Sequence, residues 1–483
     1  MSKDINVETP LITAMLQYQK QQVYPLHTPG HKGGRGMLPE LQRAWGESLE
    51  MDVSLMQELD DIHEPETYIK QAQELAAVTY GSDKCFWAVN GTSQAIHAML
   101  MTALRPGEKV LLPRNAHRSV AGGLILGGIE AVYLQPEYCA AWGLQLQIRK
   151  EQVEEALRGD KDIKAVLLTS PSYYGVAAET REIAEICHKY GIPLLVDEAH
   201  GPHLGFNSLL PPSSLQCGAD ACAQSTHKIT GAMTQCSMLH VQGRLLSLQR
   251  AADCMSVLTT TSPNYFLMAS LDAARAQLQA KGKDMVDDAV KAALKLRKLC
   301  QKLGLRVLSQ EDCPGFALDI TKVTVNVADW GYTGIEAGAR LRQAGIAVEL
   351  VDAQNVLFLV TYADVTEDYD LALQRIEIVF REMQACKRPC KCVPDVSQIP
   401  EAESVLPLRQ VFYGDKESIA LAKAQGRICA EQISFYPPGI PVMLPGERIT
   451  ETIISYCQTM KNLGLPVSGP ADGSLQTVRV VRN

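Results

Sequence analysis

The stretch LLVDEAHG, Leu194 to Gly201, decides how this chain is to be read. An apolar run starting at Pro193 meets Asp197 and Glu198, followed by Ala199 and His200. A short apolar run of this kind predicts a strand buried on both faces, with carboxylates at its carboxyl end. Similar runs surround it: CFWAV (85–89), KVLLP (109–113), AVYLQ (131–135), KAVLLTS (164–170), ADACAQS (219–225) and CSMLHV (236–241). Amphipathic segments lie between several of them, such as KEQVEEALRG (150–159) and AETREIAEICHKYG (178–191). Both end at a glycine, which suits a helix C-cap. Strands alternating with helices predict βα units and a mostly parallel sheet covered on both faces.

The chain has 483 residues, 46% of them hydrophobic, which is too many for one core and predicts two or three domains. A net charge of −8 gives no support for a nucleic-acid surface. The opening MSKDINVETP has charges and no apolar core, unlike a secretory signal. The smoothest apolar stretch, 120–134, is interrupted by four glycines and Glu130, unlike a membrane span. Fourteen cysteines without a disulfide-scaffold pattern favour a reducing cytoplasm.

Two chemistries use an acid placed like Asp197. A nucleotide-driven helicase holds Mg²⁺ with such acids, but it also needs a P-loop to cradle phosphates. None occurs, and Gly282-Lys283 is followed by Asp284 where Ser or Thr is required. An enzyme using pyridoxal phosphate (PLP) needs three things: a lysine for a Schiff base, a phosphate cradle, and a carboxylate at the ring nitrogen. Lys228, in STHKITG, lies just past the next strand-like run, with Ser225, Thr226 and His227 before it. NGTSQA (90–95) follows a strand and opens a helix, so Thr92, Ser93 and the first helical N–H groups face an anion. Asp197 supplies the carboxylate. Plainer readings exist for each: a surface lysine, an ordinary N-cap and a buried structural aspartate. All three candidates fall at strand carboxyl ends, where open α/β sheets bind ligands.

HTPGHKGG (27–34), NGTS, PRNAHRS (113–119), DEAHG, STHK and YPPGIPVMLPGE (436–447), taken together and in order, resemble the Orn/Lys/Arg decarboxylase family. The length is similar to its shorter branch. The resemblance implies a fold-type-I PLP-dependent, aspartate aminotransferase-like large domain with a mostly parallel sheet, plus smaller α+β C-terminal domains. It implies decarboxylation of a basic amino acid, arginine to agmatine or lysine to cadaverine with ornithine possible, feeding polyamine metabolism. Short arginine decarboxylases are the nearer likeness.

By the same resemblance, Lys228 carries the cofactor and His227 beside it contacts the substrate carboxylate or helps protonate the carbanion. Asp197 keeps the pyridine nitrogen protonated. Ala199 packs on the ring, and His200 lies near the phenolic oxygen, where large family members often have Trp. His117 stacks on the other face; its plainer reading is a capping or surface histidine. Thr92, Ser93 and Ser225 bind phosphate. TTTSPNY (259–265) resembles a segment that reaches the neighbouring subunit's phosphate, against a plain loop before a helix. A homodimer or higher homo-oligomer with a shared site follows, in which His31 reaches a neighbour. Glu349, Asp352 and Glu447 are candidates for the substrate's distal cation, each also readable as a surface salt bridge. An aminotransferase, anchoring the substrate carboxylate with arginine and cleaving Cα–H, is the second reading. A non-catalytic PLP-binding protein is the third.

Beyond the sheet, helical periodicity spans 283–303, and a second strand-bearing unit follows with VTVNVA, IAVELV, VLFLVTY and a helix near 369–384. CKRPCKCVPDVSQIP reads as a linker, and its Cys386, Cys390 and Cys392 as reduced linker cysteines rather than a metal or redox site. The division is an N-terminal arm 1–35, a PLP-binding large domain 36–282, a linking helix with a small α+β domain 283–390, and a C-terminal domain 391–483.

Overall fold

The computed structural model describes residues 7–54, 56–389, 400, 402–435 and 441–482. All seven strand-like runs form one sheet. Its strands are β1 (Lys84–Ala88), β2 (Lys109–Pro113), β3 (Glu130–Leu134), β4 (Ile163–Thr169), β5 (Leu194–Asp197), β6 (Ala221–Gln224) and β7 (Ser237–Val241). Their spatial order is β1-β7-β6-β5-β4-β2-β3. The pairs from β6 to β3 are parallel, whereas β7 runs antiparallel to both neighbours.

The unbroken apolar run of β5 has a direct cause. Leu195 packs with Val110, Leu112 and Leu167 on one face, whereas Leu194 and Val196 pack with Leu111, Val166 and Leu168 on the other. Each buried side chain contributes roughly 1.5–3 kcal/mol, so a polar residue on either face would cost the sheet.

Seven helices matter below: α1 (Pro10–Lys20), α2 (Gly91–Ala103), α3 (Arg118–Gly127), α4 (Thr180–Lys189), α5 (Tyr265–Lys302), α6 (Gly334–Gln343) and α7 (Glu367–Ala385). The chain leaves α4 through Gly191 at φ +70°, in the left-handed region expected of a glycine cap. Gly159 behaves differently: it is the last helical residue of 150–159, and the turn is made by Asp160 at φ −126°. The periodicity read over 283–303 is the second half of α5. Lys281, at φ −143° and ψ 17°, breaks the helix there. Next to it Gly282 lies flush against Phe206, whose ring a Cβ would meet at 2.5 Å. The helix α1 is not a free arm, because Leu11, Ala14 and Met15 are buried in one cluster with Tyr265 and Met268 of α5.

The second half of α5 packs with α6 and α7 on an antiparallel sheet. Its strands are β8 (Arg306–Val307), β9 (Lys322–Asn326), β10 (Leu350–Val351) and β11 (Asn355–Leu359), ordered β8-β9-β11-β10. Of the run IAVELV, only Leu350 and Val351 are strand. A further core joins Leu421, Ile433, Ile453 and Val480 in the C-terminal part. Among the described residues, no helix is long and apolar enough to cross a membrane.

Candidate active site

The carboxyl ends of β1, β2, β4, β5 and β6 converge on one cavity of about 240 Å³. Its lining includes Thr92, Ser93, His117, Asp197, Ala199, His200, Ser225, His227 and Lys228, and sequence reasoning had singled out each of them. They come from five separate loops, which parallel strands bring to one edge.

Asp197 is 3% exposed and accepts one hydrogen bond at 3.2 Å, from the Ala199 backbone N–H. Burial pushes its carboxyl up to about 6, against the opposing pull of Lys228 and that N–H. Its neighbour Glu198 is turned away from the cavity. It accepts from the Ser214 N–H at 2.6 Å and from Gln224 Nε2 at 2.7 Å. Only one of the two acids in DEAHG therefore faces a ligand.

Lys228 sits in the short helical turn Thr226–Ile229. Burial lowers the pKa of its ammonium, while Asp197 and Glu349 oppose the change. Its Nζ lies 2.9 Å from His200 Nε2 and 5.6 Å from the Tyr173 ring centre. His227 Nδ1 donates to the Cys236 carbonyl at 2.9 Å. Burial keeps this imidazole neutral, so its Nε2 is left with a lone pair.

At the N-terminus of α2, Asn90 makes no side-chain cap. Its amide donates instead to the Leu258 carbonyl at 3.0 Å. The ordinary N-cap reading of this segment fails, and the first N–H groups of α2 remain available to an anion beside Thr92 and Ser93. The hydroxyl of Thr92 touches those of Ser225 and Ser237.

His117 caps a helix and also faces the cavity. Its Nδ1 accepts from the Ser119 N–H at 3.2 Å, capping α3, and its ring lines the cavity. Burial first, then Lys228 and Arg118, lowers its pKa to about 4.

The four substrate or shared-site candidates fall elsewhere. Asp352 is buried and already accepts from the Tyr174 hydroxyl and the Gln354 and Asn355 N–H groups, each at 2.7 Å. Glu447 is paired with Arg114. Neither is free for a substrate cation, because every strong donor it needs is supplied by its own chain. Glu349 is exposed and does not line the cavity, although its charge acts on Lys228 and Lys322. His31 meets Asp52 at 3.1 Å and does not line the cavity of its own chain. In TTTSPNY, Asn264 caps α5 by accepting from the Phe266 and Leu267 N–H groups. Tyr436 to Ile440 of YPPGIPVMLPGE, with Cys390 and Cys392, lie outside the described residues; Cys386 is exposed.

Sequence reasoning missed several residues here, three of them polar groups with a bearing on the site. Thr169 and Tyr173 line the cavity, and Lys322 stands behind His200 with its Nζ 3.4 Å from His200 Nδ1. Thr169 closes a strand whose end was already placed at the binding edge, and that signal could have found it. A lysine heading a strand, as Lys322 does, reads as solvated.

The sheet order, with one antiparallel strand among parallel ones and a lysine-bearing cavity at the carboxyl edge, defines the fold-type-I architecture. The chain belongs to the Orn/Lys/Arg decarboxylase family: the model of its major domain matches residues 9–323, and that of its C-terminal domain residues 399–469. The chain is similar to an arginine decarboxylase of Bacillus anthracis, at 39% identity over 98% of this chain and 97% of that one. An arginine decarboxylase of Bacillus subtilis is 38% identical, covering 98% of both. Among solved structures, the constitutive lysine decarboxylase of Escherichia coli superposes with a TM-score of 0.85 at 22% identity, over 99% of this chain and 82% of that one.

Proposed function

We propose that this amino acid decarboxylase acts on L-arginine in preference to L-lysine or L-ornithine, with pyridoxal phosphate held in the cavity. One observation carries the cofactor reading: a partly desolvated lysine, a buried carboxylate and an uncapped helix N-terminus share one cavity. These residues fit the group's three recognition points. Lys228 would bind the aldehyde carbon, Asp197 the ring nitrogen, and Thr92, Ser93, Ser225 and the N–H groups of α2 the phosphate. Bound there, the cofactor supplies an electron sink for the pair left behind when CO₂ departs.

The protein's own residues do the rest. Asp197, once beside a protonated ring nitrogen, is held as a carboxylate by the opposite charge. His117 and Ala199, which both line the cavity, would pack on the two faces of the ring. The Nε2 lone pair of His227 is placed to take or relay a proton. The poorly solvating walls favour losing the substrate's carboxylate charge as neutral CO₂.

Arginine is preferred because the relatives matching this chain at 38–39% identity bear the name arginine decarboxylase, whereas a lysine decarboxylase matches at 24%. We also propose a homodimer whose N-terminal loop reaches the neighbour's cavity. The exposed Val23, Tyr24, Leu26, Leu38 and Trp45 around His31 support it, since an apolar patch of this kind suits a protein contact. The division at about residue 282 is supported by the break at Lys281 and by separate apolar clusters on either side.

The test is incubation of the purified protein with pyridoxal phosphate and each basic amino acid in turn, with the amine identified by mass spectrometry. Agmatine should form fastest. Faster cadaverine overturns the preference, and no amine from any substrate overturns the decarboxylase reading.

A further inference from the structure

Lys322 opens β9 and is 1% exposed, yet it carries an amine into the wall of the site. Its Nζ faces His200 Nδ1 at 3.4 Å, while Lys228 Nζ faces the other ring nitrogen, Nε2, at 2.9 Å. His200 is neutral, because burial, then the charges of Lys322 and Lys228, hold its pKa well below the ordinary range. A neutral imidazole has one N–H and one lone pair, and an ammonium has donors only. The two lysines therefore compete to decide which ring nitrogen carries the proton.

Lys322 has a buried counter-ion of its own in Asp319. Burial lowers its pKa to about 8, with Asp319 and Glu349 supporting its charge and Lys228 opposing it, so the ammonium predominates at neutral pH. Burial pushes the Asp319 carboxyl up, but His203, Lys322 and Thr321 outweigh it and hold it at about 2. His203 Nε2 lies 3.1 Å from Asp319, and the Thr321 hydroxyl donates to it at 2.6 Å. Lys228, by contrast, loses its ammonium whenever its nitrogen is engaged by a carbonyl ligand.

We propose that Lys322 is a positioning residue that sets the tautomer of His200: its ammonium donates to Nδ1, so the ring proton sits on Nε2 and points at the Lys228 nitrogen. The site thereby gains a fixed N–H donor without a charge on the ring. This deepens the decarboxylase reading and rests on it, because Lys228 yields the ring nitrogen when a carbonyl ligand engages it; the tautomer itself can be read without turnover.

The experiment is NMR of the full-length protein labelled with ¹⁵N in its histidine rings and loaded with pyridoxal phosphate, with His200→Gln identifying the signal. The wild type should show the proton on Nε2 near pH 7. Lys322→Met should move it to Nδ1 or into exchange between the two nitrogens, and Lys322→Arg should restore Nε2–H. A wild-type His200 protonated on Nδ1 overturns the proposal, as does an unchanged signal in a folded Lys322→Met. If Lys322→Met does not fold, the wild-type and Lys322→Arg spectra decide it, and Nδ1–H in either is fatal. If no cofactor loads, the proposed function fails; the same comparison in a Lys228→Ala background, where the competing amine is gone, still tests Lys322.

Discussion

Arg114 and Glu447 form an ion pair at 2.6 Å with 3% and 2% of their side chains exposed. Arg114 follows β2 and lies over the Tyr133 ring at 5.1 Å, while Glu447 also accepts from the Leu444 N–H at 2.7 Å. The pair ties the large sheet to the C-terminal part of the chain. Removing the carboxylate leaves a buried guanidinium without its counter-charge, with only the Val442 carbonyl to accept from it, which costs about 3–5 kcal/mol. Glu447→Ala should therefore lower the Tm markedly, while the folded fraction keeps its KM. A raised KM at unchanged Tm would return Glu447 to the substrate pocket.

Asp197→Asn replaces the one carboxylate that lines the cavity among the described residues with a neutral amide of the same shape. The amide cannot hold a ring nitrogen protonated, so at least about 3 kcal/mol of transition-state stabilisation should disappear, roughly a hundredfold in kcat/KM. Cofactor absorbance should remain, because Lys228 and the α2 N-terminus are untouched. Near-normal turnover would mean that another acid does this work.

His240, on β7, is completely buried, and its Nδ1 lies 3.1 Å from the Ser82 hydroxyl. Burial lowers its pKa from 6.5 to about 3. The unfolded chain takes up a proton below about pH 6.5 that the folded chain refuses, so this group's contribution to stability falls with pH. Relative to His240→Gln, the wild type should lose on the order of 2 kcal/mol between pH 6.5 and 5. Denaturant titrations of both proteins at the two pH values measure the gap; a constant gap refutes the buried neutral imidazole.

The shared-site proposal predicts complementation. Lys228→Ala removes the cofactor's anchor and His31→Ala alters the loop proposed to reach the neighbour, so each variant alone should be nearly inactive. Mixed and refolded together, they should regain part of the activity, because a hybrid dimer holds one intact composite site. A fully active monomer by light scattering, or hybrids that form and stay inactive, would rule this out.

The sequence by itself determined the large sheet and most of the cavity wall. A strand buried on both faces must be apolar throughout, so β5 and its neighbours stand out by composition alone, and parallel strands deliver their carboxyl ends to one edge. Asp197, Thr92 and Lys228 were therefore legible from where each run stopped. What Glu198 does was not legible, because Gln224 and Ser214, from other parts of the chain, turn it away from the cavity. Asp352, Glu447 and Lys322 were misread or passed over for the same reason. A charged side chain looks alike in sequence whether it meets water or a buried partner, and only the tertiary structure, by supplying Tyr174, Arg114 and His200, decided which.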